Sequence, residues 1–136
     1  MPIRVPVERF ITPDPIFADE SASVDELWRL MDQNDVRHLP IVRGDDVVGL
    51  VSDRDVRLIM GLSSAEKLQV RAGDVMSPDP VTVPIGMPLD EVAYLMADRK
   101  LGSVLVQDEG GTLVGIFTAT DALNTLAEIV RRGGVL

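Results

Sequence analysis

The sequence predicts an α+β fold made of two tandem copies of a βαββα repeat, packed through their sheets with pseudo-twofold symmetry. First, the segment ITPDPIFA (Ile11–Ala18) returns 65 residues later as MSPDPVTV (Met76–Val83). Second, the same offset relates VDELWRLM (Val24–Met31) to LDEVAYLM (Leu89–Met96). Third, the spacing of apolar residues changes within each copy from a helical to a strand period. We expect one module, with the first repeat at residues 1–66 and the second at 67–136.

Each copy opens with an extended segment, named here the PDP segment after its central residues (Ile11–Ala18 and Met76–Val83). Proline fixes its own φ and disfavours helix in the residue before it, so these segments cannot be helical. The prolines concerned are Pro13, Pro15, Pro78 and Pro80.

A helix follows the first PDP segment. Ser23 and Glu26 have the spacing of a capping box, which predicts where the helix begins. Apolar residues then recur at helical spacing and form one stripe, at Val24, Leu27, Leu30 and Met31. Trp28 lies beside this stripe, so we interpret it as either core or dimer interface. The methionines Met31, Met60 and Met96 are interpreted as core.

Two short strands and a second helix complete each copy. RHLPIV and DVVGLVS predict strands joined by the turn RGDD. The helix after Ser52 is clearest in the second copy, where Leu123, Leu126, Ala127 and Val130 share a face that suits either the core or an interface. The connection GLSSAEKLQVRAG (Gly61–Gly73) is too short for a further domain.

Composition and charge exclude several classes of function. The 136-residue chain has a net charge of −9, which disfavours binding to nucleic-acid phosphates. It lacks cysteine, which excludes disulfides and thiolate chemistry. Because no segment resembles a signal peptide or a membrane span, we expect a cytoplasmic protein that contacts neither nucleic acid nor membrane.

The chemical inventory does not favour an enzyme, and we expect no catalytic residues. Phosphate-binding glycine loops and a G-x-S-x-G elbow are both missing. His38 is the single histidine, so no zinc shell can be completed, and the acids lack EF-hand spacing; we expect no metal site. An acid-pair hydrolase using Asp53 and Asp55 is disfavoured, since residues i and i+2 of a helix do not share a face.

The stretch GLVSDRDV (Gly49–Val56) has a relative, GIFTATDA (Gly115–Ala122), in the second copy. Ser52 with Asp55, and Thr118 with Asp121, have capping spacing, and a helix cap alone would explain them. A glycine inside each preceding strand, however, leaves room for another group to approach the backbone. A helix N-terminus attracts phosphate, and a nearby carboxylate can accept the two hydrogen bonds of a ribose diol.

These motifs resemble those of the CBS (cystathionine β-synthase) domain over roughly Arg4–Val130. The resemblance rests on the PDP segments, the VRHLPIV strand and a G-x-x-[ST]-x-x-D ending, found twice in order. It implies a stand-alone tandem CBS-domain protein of the bacterial type. Such pairs are regulatory modules that bind adenosine-containing ligands in the cleft between the repeats and commonly form homodimers through helices.

The resemblance also implies where a nucleotide is bound. Asp55 and Asp121 correspond to the family's ribose-binding aspartate, and Ser52 and Thr118 to the hydroxyl near the phosphate. Arg54 is interpreted as a companion of Asp55 on the phosphate side, and basic residues before the strand, here Arg37 and His38, often approach the phosphates. Residues flanking adenine correspond to Pro15, Ile16, Phe17 and Leu39 in the first copy and to Pro80, Val81, Thr82 and Val104 in the second.

The second copy departs from this pattern. Gly102 and Ser103 stand where the first copy has Arg37 and His38, and Ala119 and Thr120 replace Asp53 and Arg54. Positive charge is therefore concentrated in the first copy, and we expect unequal sites, of which one alone holds a phosphorylated ligand. Because clefts of this family draw on both copies, the sequence leaves open which cleft each basic residue serves.

The leading hypothesis is a non-enzymatic regulatory module. It needs no cofactor, and its ligand would be AMP, ADP, ATP, NAD or S-adenosylmethionine. The chain would form a homodimer and signal to an effector protein. The alternative is a ligand-free dimerisation scaffold that keeps the CBS fold.

Overall fold

A computed structural model describes residues 4–134 of the chain. It has two four-stranded sheets with helices, which confirms the predicted α+β class. The chain divides into two compact units. We call Pro15–Pro80 the first unit, and residues 4–14 together with 81–134 the second unit.

The first unit contains one mixed sheet with strand order β2-β3-β4-β5. Its strands are β2 (Ala18–Asp19), β3 (His38–Arg43), β4 (Asp46–Ser52) and β5 (Ser77–Pro78), and its helices are α1 (Val24–Asn34), α2 (Asp53–Met60), α3 (Ser64–Lys67) and α4 (Ala72–Val75). Strand β2 runs parallel to β3, whereas β4 is antiparallel to both β3 and β5. Leu27, Leu39, Ile41, Val51 and Val56 are fully buried and form the centre of its core.

The second unit repeats this plan, with strand order β1-β8-β7-β6. A 3₁₀ turn (Val7–Arg9) precedes its elements, which are β1 (Thr12–Pro13), β6 (Thr82–Pro84), α5 (Leu89–Arg99), β7 (Ser103–Gln107), β8 (Leu113–Thr118) and α6 (Ala119–Arg131). Strand β6 is parallel to β7, and β8 is antiparallel to β7 and β1. Phe117, Val92 and Val104 lie in its core, with exposed fractions of at most 1%.

The predicted helix starts are confirmed. Ser23 accepts a hydrogen bond from the Glu26 amide at 3.1 Å, and α1 begins at the next residue, Val24. Met31 and Met96 are buried as predicted. The connection after α2 is more structured than its composition suggested, because Ser63 caps the short helix α3 by accepting from the Glu66 amide at 3.2 Å.

The first halves of the two PDP segments are exchanged between the compact units. Strand β1, from the first PDP segment, pairs with β8 of the second unit through Thr12 and Pro13. Strand β5, from the second PDP segment, pairs with β4 of the first unit through Ser77 and Pro78. The compact units therefore divide the chain differently from the predicted repeats at 1–66 and 67–136. Residues 1–3 and 135–136 of those repeats lie outside the described part. That division stays a prediction about the sequence repeat.

The glycines inside strands β4 and β8 face these exchanged segments. A Cβ on Gly49 would meet the side chain of Met76, with the Met76 Cγ at 2.7 Å. A Cβ on Gly115 would meet the side chain of Ile11 and the carbonyl oxygen of Thr12, the latter at 2.8 Å. The room that the sequence suggested for an external group is therefore filled by the chain itself.

Candidate functional site

The candidate site in the first unit lies where strands β2 and β3 begin and β4 ends. In the antiparallel pair, His38 is the Cα partner of Ser52, the last residue of β4. In the parallel pair, Ala18, the first residue of β2, is the partner of Ile41, so the PDP residues before it lead into the end of the sheet where β3 begins. The amide of Asp53 donates to the carbonyl of Arg37 at 2.8 Å. One sheet edge thus brings together the basic pair and the helix cap, and the PDP segment enters the sheet at the same end.

A complete capping box joins β4 to α2. The hydroxyl of Ser52 accepts from the Asp55 amide at 3.2 Å, while Asp55 Oδ2 accepts from both the amide and the hydroxyl of Ser52 at 2.9 Å each. Within residues 4–134, no hydrogen bond to Asp55 Oδ1 is found. The carboxylate is half-buried, so its position is fixed by the cap while one oxygen keeps its accepting capacity.

The charged residues around this cap have separate roles. Asp53 pairs with Arg57, one turn along α2, at 3.2 Å, which gives it a structural role that the sequence did not indicate. Arg54 and Arg37 are exposed. In the part of the chain that the structure describes, neither makes an ion pair. Both guanidinium groups are therefore available to an anion.

Burial lowers the pKa of His38 below its ordinary value of 6.5. The negative charges of Asp53 and Asp55 oppose this effect, and the positive charge of Arg37 adds to it. The imidazole is therefore mainly neutral at pH 7. A phosphate placed beside it would favour the protonated form and raise its pKa.

The PDP residues contribute differently to this edge. Phe17 is 59% exposed, an unusual state for an aromatic ring and one that offers a stacking surface. Pro15 and Ile16 are half-buried beside it. Leu39, by contrast, is fully buried in the core. Because neighbouring strand residues face opposite sides, His38 points away from the core that Leu39 enters, and only the Leu39 backbone can meet a ligand.

The second unit has a matching but less basic edge. Thr118 accepts from the Asp121 amide at 3.1 Å and Asp121 Oδ2 accepts from the Thr118 amide at 2.9 Å. Ser103 is the cross-strand partner of Thr118, and its buried hydroxyl has no hydrogen-bond partner in the part of the chain described. The backbone of Val81 accepts from Leu105 at 3.0 Å.

The remaining predicted residues of the second copy fall in different surroundings. Thr82 is exposed at the start of β6, whereas the Val104 side chain is in the core, so Val104 has only backbone atoms to offer. Pro80 is half-buried and is the last residue of the first unit. Basic residues at the positions of Arg37, His38 and Arg54 are missing from this copy.

A comparison with known protein families identifies the fold unit that occurs twice in the chain. A model of the CBS domain matches residues 7–61 and again residues 72–128. The chain belongs to the CBS domain family. The two matches confirm a tandem CBS pair, and the duplicated strand edge and cap described above lie inside them.

Curated relatives contain this CBS pair in different settings. The inosine-5'-monophosphate dehydrogenase of Korarchaeum cryptofilum is 35% identical over 114 residues, which are 84% of this chain but 23% of the enzyme. The chain thus spans less than a quarter of that relative. A CBS domain-containing protein of Dictyostelium discoideum is 26% identical and matches over 94% of this chain and 95% of its own length.

Solved structures of CBS proteins superpose over most of the chain. CBSX2 in complex with AMP is 28% identical, with a TM-score of 0.76, and 91% of this chain and 97% of that one are covered. A putative acetoin utilization protein (AcuB) from Vibrio cholerae is 28% identical with a TM-score of 0.81, covering 95% of each chain. The CBS domain pair of MJ0100, in complex with 5'-methylthioadenosine and S-adenosyl-L-methionine, is 24% identical and supports the fold alone.

Neither a membrane-spanning helix nor a cluster of metal ligands is found in the part of the chain that the structure describes. Over residues 4–134, every helix is too short or too polar to cross a bilayer. Within the same residues, no three histidine or acidic side chains cluster as metal ligands would.

Proposed function

We propose that this CBS pair is a regulatory module that binds an adenine nucleotide or another adenosyl ligand and passes the resulting change to a partner protein. The site in the first unit would hold the phosphorylated form, with Asp55 on the ribose, Phe17 beside the base, and Arg37, His38 and Arg54 near phosphate. The cytoplasmic location, the lack of catalytic activity and a homodimeric state belong to the same proposal.

This proposal rests mainly on the carboxylate of Asp55. Its Oδ2 accepts the capping hydrogen bonds, while Oδ1 accepts none from residues 4–134. A carboxylate that served only as a helix cap could lie anywhere on the surface, as Asp74 does when it accepts from the Arg71 amide at 2.9 Å. Asp55 instead begins α2 beside the strand edge of Arg37 and His38. The exposed Arg54 and Phe17 would approach the same ligand from α2 and from the PDP segment. A ribose diol, a phosphate and a base are the groups that such side chains recognise together.

The similarity to CBSX2, a protein that binds AMP, supports the choice of ligand. The second unit keeps Thr118 and Asp121 but has no basic residue at the three equivalent positions. Its site would therefore prefer an uncharged adenosyl group, and the two sites of one chain would be unequal.

Ligand-dependent stability tests this proposal. Thermal unfolding of the full chain is measured with AMP, ADP, ATP, NAD and S-adenosylmethionine at millimolar concentration. A ligand at 100 times its Kd stabilises the native state by about 2.7 kcal/mol, which is readily detected. No change with any of the five compounds would exclude the adenosyl proposal and leave the dimerisation scaffold.

A matched pair of variants separates ligand binding from helix capping. Asp55→Ala and Asp74→Ala each remove a carboxylate that caps a helix, so each costs about 0.5–2 kcal/mol of stability. Only Asp55→Ala is expected to weaken nucleotide binding in isothermal titration, by about 10- to 100-fold, the worth of hydrogen bonds to a charged acceptor. Equal affinities for the two variants would show that Asp55 is a cap alone.

A further inference from the structure

A buried serine at the start of β7 has no hydrogen-bond partner. Ser103 is 6% exposed, and its hydroxyl neither donates nor accepts within residues 4–134. Burying a hydroxyl without a partner costs stability, because its hydrogen bonds to water are lost and not replaced. A native fold keeps such a group where a water or a bound ligand supplies the missing partner.

The side chain of Ser103 lies on the face of the sheet opposite to helix α5. Its neighbour Val104 packs in the core of the second unit together with Val92 and Met96 of α5. Because successive strand residues point to opposite faces, the Ser103 hydroxyl is directed away from that core. Thr118 is the cross-strand partner of Ser103 and therefore shares its face.

The hydroxyls of Ser103 and Thr118 are close enough to share one acceptor. The amide of Ala119 donates to the carbonyl of Gly102 at 2.9 Å, one residue beyond the pair on each strand. Ser103 and Thr118 are therefore a non-hydrogen-bonded pair, the kind in which opposite side chains come closest, with Cβ atoms about 4.5–5.5 Å apart. An oxygen placed between two such hydroxyls can accept from both at about 2.7–2.8 Å.

The Thr118 hydroxyl also has an unused proton. It accepts from the Asp121 amide at 3.1 Å, but within the described residues it donates to no acceptor. At the equivalent position of the first unit, the Ser52 hydroxyl donates to Asp55 Oδ2 at 2.9 Å. The second unit thus presents two unused O–H donors side by side, which we call the Ser103–Thr118 donor pair.

The charges around this donor pair disfavour a phosphate group. Asp121 is hydrogen-bonded to Thr118 in both directions, so its negative carboxylate lies beside the pair and repels an anion. The first unit has basic residues that can offset such repulsion, at positions where the second unit has none. The positions of Arg37, His38 and Arg54 are here Gly102, Ser103 and Thr120.

Most exposed bases of the second unit lie away from the donor pair. They are found at the ends of helices, namely Arg99 and Lys100 after α5 and Arg131 and Arg132 after α6. Helix α5 packs on the opposite face of the sheet, and α6 is 13 residues long, so its last turn is remote from the cap at Thr118. Arg9 is held over the ring of Phe10, 5.8 Å from its centroid. An uncharged oxygen, of a hydroxyl or an ether, therefore suits the donor pair better than a phosphate does.

We propose that Ser103 determines which adenosyl compound the second unit takes: with Thr118 it donates to the uncharged 5′-oxygen of a nucleoside, so that this site prefers adenosine to AMP. The inference rests on the adenosyl function proposed above and names the ligand class of the second site. His38 has the equivalent position in the first unit, where the proposed ligand is phosphorylated.

Removal of the Ser103 hydroxyl is the first test. Ser103→Ala deletes a buried donor that nothing satisfies, so we expect the ligand-free chain to unfold at a higher temperature than wild type. Thr125→Val is the matched control, since Thr125 is 7% exposed but its hydroxyl donates to the Asp121 carbonyl at 2.8 Å; it is not expected to raise the unfolding temperature. A lower unfolding temperature for Ser103→Ala would mean that the hydroxyl is already satisfied in the free protein, and would overturn the inference.

Isothermal titration with adenosine and AMP is the second test. All chains carry Asp55→Ala, which the proposed function expects to weaken the first site. We expect this chain to bind adenosine more tightly than AMP, and an added Ser103→Ala to raise the Kd for adenosine about 3- to 10-fold, the worth of one neutral hydrogen bond. Thr125→Val added to the same chain should leave the adenosine Kd unchanged.

The outcomes distinguish this inference from the proposed function. An adenosine Kd that Ser103→Ala leaves unchanged would overturn the inference alone, as would tighter binding of AMP than of adenosine to the Asp55→Ala chain, because a base from elsewhere would then serve the phosphate. AMP binding to wild type without adenosine binding to the Asp55→Ala chain would also overturn it and leave the regulatory module. Wild-type chain that binds neither adenosine nor any of the five compounds named above would overturn both.

Discussion

The carbonyl oxygen of Thr12 lies 2.8 Å from the position that a Cβ would take on Gly115. Strand β1 pairs with β8 at this point, and a backbone atom within a paired strand has little freedom to move. The equivalent contact at Gly49 involves the side chain of Met76, which is flexible. The two glycines have the same position in the repeat but different tolerance for a larger residue.

Gly115→Ala is therefore expected to destabilise the chain more than Gly49→Ala. Overpacking against a fixed backbone costs about 1–3 kcal/mol, whereas Met76 can change rotamer at lower cost. Urea unfolding of both variants measures the difference, and we expect Gly115→Ala to have the lower midpoint. Equal midpoints would mean that β1 moves away from β8 as easily as Met76 moves from Gly49.

The pKa of His38 can be read directly, because this is the single histidine of the chain. Burial is expected to hold the pKa below 6.5 in the ligand-free protein, and NMR titration of the imidazole measures it. Bound AMP is expected to raise this pKa, since the phosphate favours the charged form. A ligand-free value at or above 6.5, or no change with AMP, would contradict the place given to His38.

The same pKa makes stability depend on pH in a defined direction. The unfolded chain binds the proton of His38 near pH 6.5, above the pH at which the folded chain does. The contribution of His38 to the free energy of unfolding is therefore complete above pH 6.5, and it is lost as the pH falls through the pKa of the folded chain. His38→Gln should reduce the dependence of the free energy of unfolding on pH below pH 6.5, measured by urea titrations at several pH values. An unchanged dependence would mean that carboxylates cause it.

The two caps are expected to differ in strength. Ser52→Ala and Thr118→Ala each remove a hydrogen bond to the third helical amide, at about 0.5–2 kcal/mol. The Ser52 hydroxyl also donates to Asp55 Oδ2 at 2.9 Å, so its loss should cost more. Ser63→Ala, at the exposed cap of a four-residue helix, is the control with the smallest effect on the unfolding midpoint. The reverse order would contradict this account of the caps.

Fragments test which division of the chain is the folding unit. A fragment of residues 15–80 keeps all four strands of its sheet, whereas residues 1–66 lack β5 and carry an unpaired β1. We expect the first to unfold cooperatively in urea at low temperature and the second to lack a cooperative transition. Equal behaviour would favour the sequence repeat as the folding unit.

Local features of the fold were predictable, and non-local ones were not. Ser23, Ser52 and Thr118 cap helices because the signal lies within four residues of sequence. The exchange of β1 and β5 was not visible, because the PDP segments match each other and nothing local says which sheet each will join. The pairing of Asp53 with Arg57, four residues on, was missed for a different reason: the adjacent Arg54 was considered as its partner, although residues i and i+4 of a helix share a face.

Within the candidate site, the sequence predicted residues that the fold places near one strand edge, but it did not predict how their side chains are oriented. Their role in binding stays a prediction. His38 and Leu39 are adjacent, yet one reaches the sheet edge and the other is fully buried in the core. Strand alternation decides this, and it depends on which face of the sheet the helices cover.

The exchanged strands also determine how the chain responds to a cut. A protease that cleaves between α3 and α4 would leave β1 covalently attached to the first unit while hydrogen-bonded to the second, and β5 the reverse. The two pieces would remain associated, each contributing an edge strand to the sheet of the other. We therefore expect the connection to accept a cut or an inserted reporter, and the two pieces to reassemble as a split protein on mixing.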